Sequence, residues 1–388
     1  MSDLSLPKVP ERVILASQPP GIRGLVETAV VMSEPMRILI TGGAGFVGSH
    51  LAISFKRENP DREIIAFDNL KRRGSELALR RLAAGGVEFS HGDIRNPEDL
   101  ADAGSFNLLV ECSAEPSVQA GLYGGERYLI NTNLIGTINC LDYARRHDAA
   151  VIFLSTSRIY PIAPLRQLPL ISTETRFVIP PSDTGPGWSA RGISENFPLI
   201  GSRSLYGATK LCSELIIAEY VALYGLHAVI NRCGVLTGPW QMGKVDQGFV
   251  VLWAARHLFG GALSYNGFGG AGLQVRDVLH VEDLYCLIRK QVAQIANHSG
   301  KTYNVGGGVD CSVSLAELTE ACVRHTGRRL VIKSQPETNS VDIPYFVTDN
   351  RAVAAATGWQ PRLSMSDILA DIFEWLWDHR GEVEAILK

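Results

Sequence analysis

The stretch Met36–His50, MRILITGGAGFVGSH, decides how the chain is read. Arg37-Ile38-Leu39-Ile40-Thr41 has the character of a buried strand. Gly42, Gly45 and Gly48 come next at GxxGxxG spacing, and an apolar helix opens at Phe46-Val47. A strand that turns on glycine into a helix receives the pyrophosphate of a dinucleotide. Gly42 permits the tight turn, Gly45 lets the backbone approach the phosphates, and Gly48 lets the helix pack on the strand. The free N–H groups of the helix N-terminus, at Phe46 and Val47, then face the anion. Alone the pattern also fits an ordinary strand–turn–helix, so residues farther along the chain have to decide between the two.

Glu63–Asp68, EIIAFD, reads as a second strand that ends on Asp68, 20 residues after Gly48. An acid at that place accepts hydrogen bonds from the ribose hydroxyls of NAD and repels the extra phosphate of NADP. Arg72 and Arg73 lie close by and would tolerate that phosphate; the acid favours NAD. Val87–His91, Leu108–Cys112, Val151–Ser155 and His227–Cys233 read as further strands, with helices over 133–147 and 205–223 among them. Strands alternating with helices predict an α/β fold with a doubly wound parallel sheet, of Rossmann type, over residues 36–234. Residues 235–388 predict a smaller C-terminal α/β part that binds substrate, with segments near 274–305 returning to the first domain. Residues 161–204 break the alternation with PIAPLRQLPL and IPPSDTGPGW and form a long insertion, either a surface excursion or a lid. Residues 1–35 read as a disordered or loosely attached extension.

Composition narrows the function. A chain of 388 residues, 46% hydrophobic and 20% charged, is globular. A formal net charge of −3 gives no basic field for nucleic acid. No apolar run approaches the roughly 18 residues of a membrane span. The seven cysteines are scattered without a CxxC pair, the pattern of reduced thiols in a cytoplasmic protein. Cys112 and Cys233 fall on presumed core strands and read as inert. No His/Cys/Asp set has metal-ligand spacing, so no metal is expected.

The chemistry resides in two places. Tyr206-Gly-Ala-Thr-Lys210 opens a helix and, at i, i+4 spacing, puts phenol and ammonium on one face. A nearby ammonium favours the phenolate and suits the tyrosine to general-base work. Ser155-Thr156-Ser157 ends the fifth strand, where open α/β sheets bind ligands. Glu115-Pro116-Ser117 lies beyond the fourth strand, near where a sugar would sit.

Together GxxGxxG, Asp68-Asn69-Leu70, His91-Gly-Asp-Ile94, Ser155-Thr-Ser-Arg-Ile-Tyr160 and Tyr-x-x-x-Lys resemble an extended short-chain dehydrogenase/reductase, over about residues 36–380. That group includes nucleotide-sugar epimerases and dehydratases. The resemblance implies NAD held by Gly42, Gly45, Phe46, Val47, Gly48, Asp68, Asn69, Asp93, Ile94, Asn133, Tyr206 and Lys210. It implies catalysis by Thr156, Tyr206 and Lys210, with Glu115, Ser117, Thr156, Gln247 and Arg276 at the substrate. Within the group, FDNL, HGDIRN, Asp246–Val250 and Gln274–His280 are most similar to the CDP-tyvelose (CDP-paratose) 2-epimerases. The implied activity is NAD-dependent epimerisation of a nucleotide sugar through a keto intermediate, at carbon 2 of a CDP-hexose. A UDP-sugar 4-epimerase and a net oxidoreductase are the alternatives, and a homodimer or tetramer is the expected assembly. The dehydratase branch uses an Asp-Glu pair after the catalytic Thr; here Ser157 and Arg158 stand instead. The chain also departs from the group at Asn339, where an arginine often holds the substrate diphosphate. Failing that arginine, Arg166, Arg176, Arg191 and Arg203 of the insertion are the candidates.

Overall fold

In the computed structural model the described residues are 36–244 and 247–388, so the expectation for residues 1–35, and Asp246, lie outside them. Seven strands form the central sheet: β1 (Arg37–Thr41), β2 (Glu63–Asp68), β3 (Glu88–His91), β4 (Leu108–Glu111), β5 (Ala150–Thr156), β6 (Ala228–Cys233) and β7 (Thr302–Val305). All pair in parallel, in the order β7-β6-β5-β4-β1-β2-β3. The inner strands are apolar because both faces of a parallel sheet are covered. Ile38, Leu39 and Ile40 of β1 are wholly buried, as are Val151, Ile152 and Phe153 of β5. Helices α1 (Phe46–Glu58) and α4 (Val281–Ala293) cover one face through Leu51, Phe55, Leu284 and Tyr285. Helices α2 (Gly136–Arg146) and α3 (Leu205–Tyr224) cover the other through Cys140, Leu141 and Ile217.

The C-terminal part has its own apolar core. The helices Phe249–Phe259, Leu315–Thr326 and Met365–Asp378 pack through Val250, Trp253, Leu318, Ile372 and Leu376. A buried histidine fastens this part to the first. His280 accepts the N–H of Glu282 as the cap of α4 and reaches Asp371 at 2.9 Å.

The insertion is neither a surface excursion nor a lid. Ile179, Ile193 and Phe197 share a core with Ile159, Tyr160, Ile343, Tyr345 and Val347. Ile193 continues sheet-like pairing with the chain at 347–349, its N–H donating to Val347 O at 2.7 Å. Arg176 grips the Glu317 carboxylate at 2.7–3.0 Å. Arg166 donates to the carbonyls of Asn339, Ser340 and Asp342 at 2.7–3.2 Å. Residues 161–204 are therefore a strap that fastens β5 to the C-terminal part.

Candidate active site

Two cavities open beyond the carboxyl ends of the strands, where the sheet order reverses beside β1. The smaller, about 530 Å³, is lined by Gly42, Gly45, Gly48, Asp68, Asn69, Asp93 and Ile94. The larger, about 1030 Å³, is lined by Thr156, Arg158, Tyr206, Lys210, Arg276 and Asp342. Phe46, Val47, Cys112, Pro116 and Gln247 border both, so the two form one continuous site.

The smaller cavity is shaped for a dinucleotide. Gly42 turns at a φ of +65°, and a Cβ at Gly48 would lie 2.2 Å from the Gly42 carbonyl oxygen, so α1 approaches only because that side chain is missing. Gly45 caps α1 without a side-chain acceptor, which leaves first-turn N–H groups to an anion. Asp68 accepts the N–H of Ala44 at 3.1 Å and of Leu70 at 2.8 Å, bracing the glycine turn while facing the cleft. Burial raises its pKa, and these N–H groups pull it back. Asn69 donates to Asp93 at 2.8 Å. Burial also opposes charge on Asp93, but the hydrogen bonds from Arg95 and Asn69 outweigh it and bring the pKa down to about 2.

The larger cavity gathers the expected reacting groups. Thr156 ends β5, and its hydroxyl bonds the phenol of Tyr206. Ser204 caps α3 by accepting the N–H of Gly207 at 3.2 Å, which sets Tyr206 and Lys210 on its first two turns. Both are buried, at 8% and 2% exposure. The Lys210 ammonium lies 3.8 Å over the centre of the Phe153 ring. Phe153 is in register with Glu111 on β4, and registered residues share a face, so the Glu111 carboxylate lies beside Lys210. Glu111 is wholly buried and accepts the Thr137 hydroxyl at 2.7 Å. Glu214, the other acid near Lys210, is taken by Arg232 at 2.8 Å and by Ser155. Burial lowers the pKa of Lys210; Glu111 first, then Glu214, oppose that fall.

Several sequence expectations need correction. Burial pushes the Tyr206 phenol up to about 12, and the cation prominent among the groups pulling it back is Arg158, whereas Lys210 sits beneath, against Phe153. Asn133 does not line the cleft: it is wholly buried, accepts Glu115 N–H at 2.8 Å and donates to Glu115 O at 3.1 Å, so it braces the loop after β4. Glu115 and Ser117 line the smaller cavity, not the larger one. β4 ends at Glu111, so Cys112 is not on a core strand; it borders both cavities, and burial raises its thiol pKa, which keeps it inert. Gln247 stands at the junction, where its side-chain oxygen accepts from Arg72. Arg276 pairs with Asp342, at 3.0 Å, and Arg158 approaches the same carboxylate oxygen at 3.8 Å. Burial lowers Arg276 to about 10. Arg166, Arg176 and Arg203 of the insertion are spent on internal contacts, and Arg191 is absent from the lining. Sequence reasoning missed Glu111; its signal was a carboxylate closing an otherwise apolar buried strand, a position that demands a partner.

Fold and site together define an NAD-dependent enzyme of the extended short-chain dehydrogenase/reductase type. The chain belongs to the NAD dependent epimerase/dehydratase family, which its residues 38–306 match. It is 30% identical to the CDP-paratose 2-epimerase of Salmonella typhi over 352 residues, covering 88% of this chain and 99% of that one. It is 26% identical to a dTDP-glucose 4,6-dehydratase of Streptomyces niveus, covering 89% and 94%. The solved structure of a dTDP-glucose 4,6-dehydratase from Streptomyces venezuelae with NAD bound superposes with a TM-score of 0.71 at 27% identity, covering 90% of this chain and all of that one.

Asp68→Ala removes both the ribose acceptor and the brace on Ala44. NAD affinity should fall at least tenfold while NADP affinity holds or rises, as read by titration of each cofactor. An unchanged preference would assign the discrimination to Arg72 or another group.

Proposed function

We propose that this enzyme epimerises a nucleotide-activated sugar through a transient keto intermediate, and that the reacting centre is carbon 2 of a CDP-hexose. The observation that carries the reading is Thr156 bonded to Tyr206, over Lys210, where the larger cavity meets the cofactor cleft. The 30% identity to a CDP-paratose 2-epimerase supports the nucleotide and the carbon. Against the dehydratase relatives stands the turn after Thr156, which offers Ser157 and Arg158 and no carboxylate pair.

Tyr206 takes the proton of the sugar hydroxyl and returns it at the end of the cycle. Thr156 holds the phenol and the hydroxyl in line. The Thr156 hydrogen bond and the Arg158 charge draw the phenol down from the height to which burial lifts it. Bound NAD supplies the two-electron acceptor, restored within each turnover. Arg276 and Arg158 share one carboxylate, Asp342, and so present one net positive charge to the substrate's diphosphate. We propose a homodimer as well: Ile135, Leu215 and Leu223 stand exposed around the neighbouring helices α2 and α3, an apolar face suited to a second copy. Light scattering should give twice the chain mass.

With CDP-hexoses as substrate, epimer formation should proceed with no net change in absorbance at 340 nm. Net production of NADH would mean an oxidoreductase, and turnover confined to UDP-sugars would move the reaction to carbon 4. Tyr206→Phe should retain fold and NAD but lose about 10²–10⁴-fold in kcat, the range for general acid–base catalysis. A loss within tenfold would remove Tyr206 from the role.

Glu111→Gln keeps the side-chain volume and the Thr137 contact but removes the counter-charge. Burial then favours neutral Lys210 at lower pH, so the basic limb of the kcat–pH profile should move to lower pH. A profile that stays in place while the melting temperature falls would make Glu111 purely structural.

A further inference from the structure

Among the described residues no carboxylate serves Arg81 as a counter-ion. Arg81 lines the cofactor cleft beside Gly45, Gly48 and Ser49. One of its nitrogens donates to Ser49 Oγ at 3.4 Å, and its guanidinium carbon lies 4.3 Å from the centre of the Trp240 ring. These neighbours are neutral. The nearby ionisable side chain is His50, which holds Glu282 at 2.8 Å, and Arg57 shares that same carboxylate. No described carboxylate pairs with Arg81 itself. Burial alone acts on it and lowers its pKa to about 10, with no acid pulling it back. A partly buried cation is costly when it lacks an anionic partner, and one that opens into a cleft is satisfied by whatever enters the cleft.

Ser49 lies directly after the first turn of α1, whose N-cap Gly45 gives no side-chain acceptor. Arg81 therefore faces the same space as the free N–H groups of that turn. A dinucleotide seated on the glycine turn brings its diphosphate there. A planar guanidinium binds two phosphate oxygens at once, and contact with the Trp240 ring restricts how the fork can turn.

We propose that Arg81 is a cofactor-binding residue that contacts the diphosphate of NAD, completing with the α1 N-terminus an anion site whose cation comes from outside the glycine motif. The inference rests on the NAD cleft and stands whichever sugar the enzyme takes.

The test is competition against bound NADH, monitored by its fluorescence, with ADP-ribose, which carries the diphosphate, and adenosine, which carries no phosphate. In Arg81→Gln the affinity for ADP-ribose should fall 10–100-fold while that for adenosine stays within threefold of wild type. Arg81→Lys, which keeps the charge and loses the fork, should fall between the two. Inorganic pyrophosphate should raise the melting temperature of the wild-type protein and not that of Arg81→Gln. ADP-ribose affinity within threefold of wild type would overturn the proposal, as would an equal loss for both ligands, the mark of an Arg81 that only braces Trp240. If Arg81→Gln fails to fold, Arg81→Lys decides: an unchanged ratio of ADP-ribose to adenosine affinity overturns the proposal.

Discussion

Charge buried beneath the reacting groups is the constraint on which the rest of this molecule depends. Lys210 is 2% exposed and has to remain an ammonium under a tyrosine that burial makes a weak acid. Glu111 answers it from β4, and Glu214 answers both Lys210 and Arg232. The chain of contacts continues. Arg232 donates to the Tyr160 hydroxyl at 3.1 Å, Tyr160 to Asn304 at 2.8 Å, and Asn304 to the carbonyl of Ile193 at 3.0 Å. This network joins β5, β6, β7 and the strap. Removing one partner of a buried pair leaves an uncompensated charge, at a cost of about 3–5 kcal/mol. The arrangement is thus fixed for stability as well as for chemistry.

The substrate wall solves a related problem with irregular backbone. Residues 336–339, Val341 and Asp342 line the larger cavity, and the segment 336–342 belongs to no helix or strand. Their shape comes from outside. Arg166 reaches from the strap and takes three of the segment's carbonyl oxygens. Asp342 then points inward, where it orders Arg276 and draws Arg158 toward it. The strap excludes none of the cavity's space, yet it sets the position of the acid that aims two guanidinium groups. A proline-rich insertion looks dispensable from sequence; its contacts make it part of the scaffold on which the substrate wall hangs.

The parts legible in the sequence were those encoded locally. The glycine turn, the parallel sheet and the Tyr–Lys helix each arise from residues within a few positions of one another, and the structure places them as read. The misjudged parts depend on partners far away in sequence. Nothing around Arg276 announces Asp342, 66 residues on. Asn133 carries a polar side chain at the right place for a cofactor ligand, but the chain turns it inward to satisfy the backbone of Glu115. Glu111 ends an apolar strand, and nothing near it in sequence shows that its carboxylate meets Lys210 and Thr137. Each of these is a buried polar group, whose role is set by whatever the fold brings alongside it.

One turn of backbone separates the chemistry proposed for this enzyme from that of its dehydratase relatives. The fold is common to epimerases and dehydratases, so it does not choose between them. The residues after Thr156 do. A carboxylate pair there would remove a proton from carbon and give one to a departing hydroxyl. Ser157 and Arg158 do neither: a serine is a poor acid, and a guanidinium at this site stays charged and holds its protons, even with burial lowering its pKa, because Asp342 and Tyr206 favour its charge. The sign of the local field is inverted as well. Where carboxylates would resist an oxyanion, the Arg158 charge favours the Tyr206 phenolate. For the epimerase proposed above, the same replacement that takes away water elimination therefore favours proton abstraction from the sugar hydroxyl, the proton transfer on which epimerisation through a ketone turns.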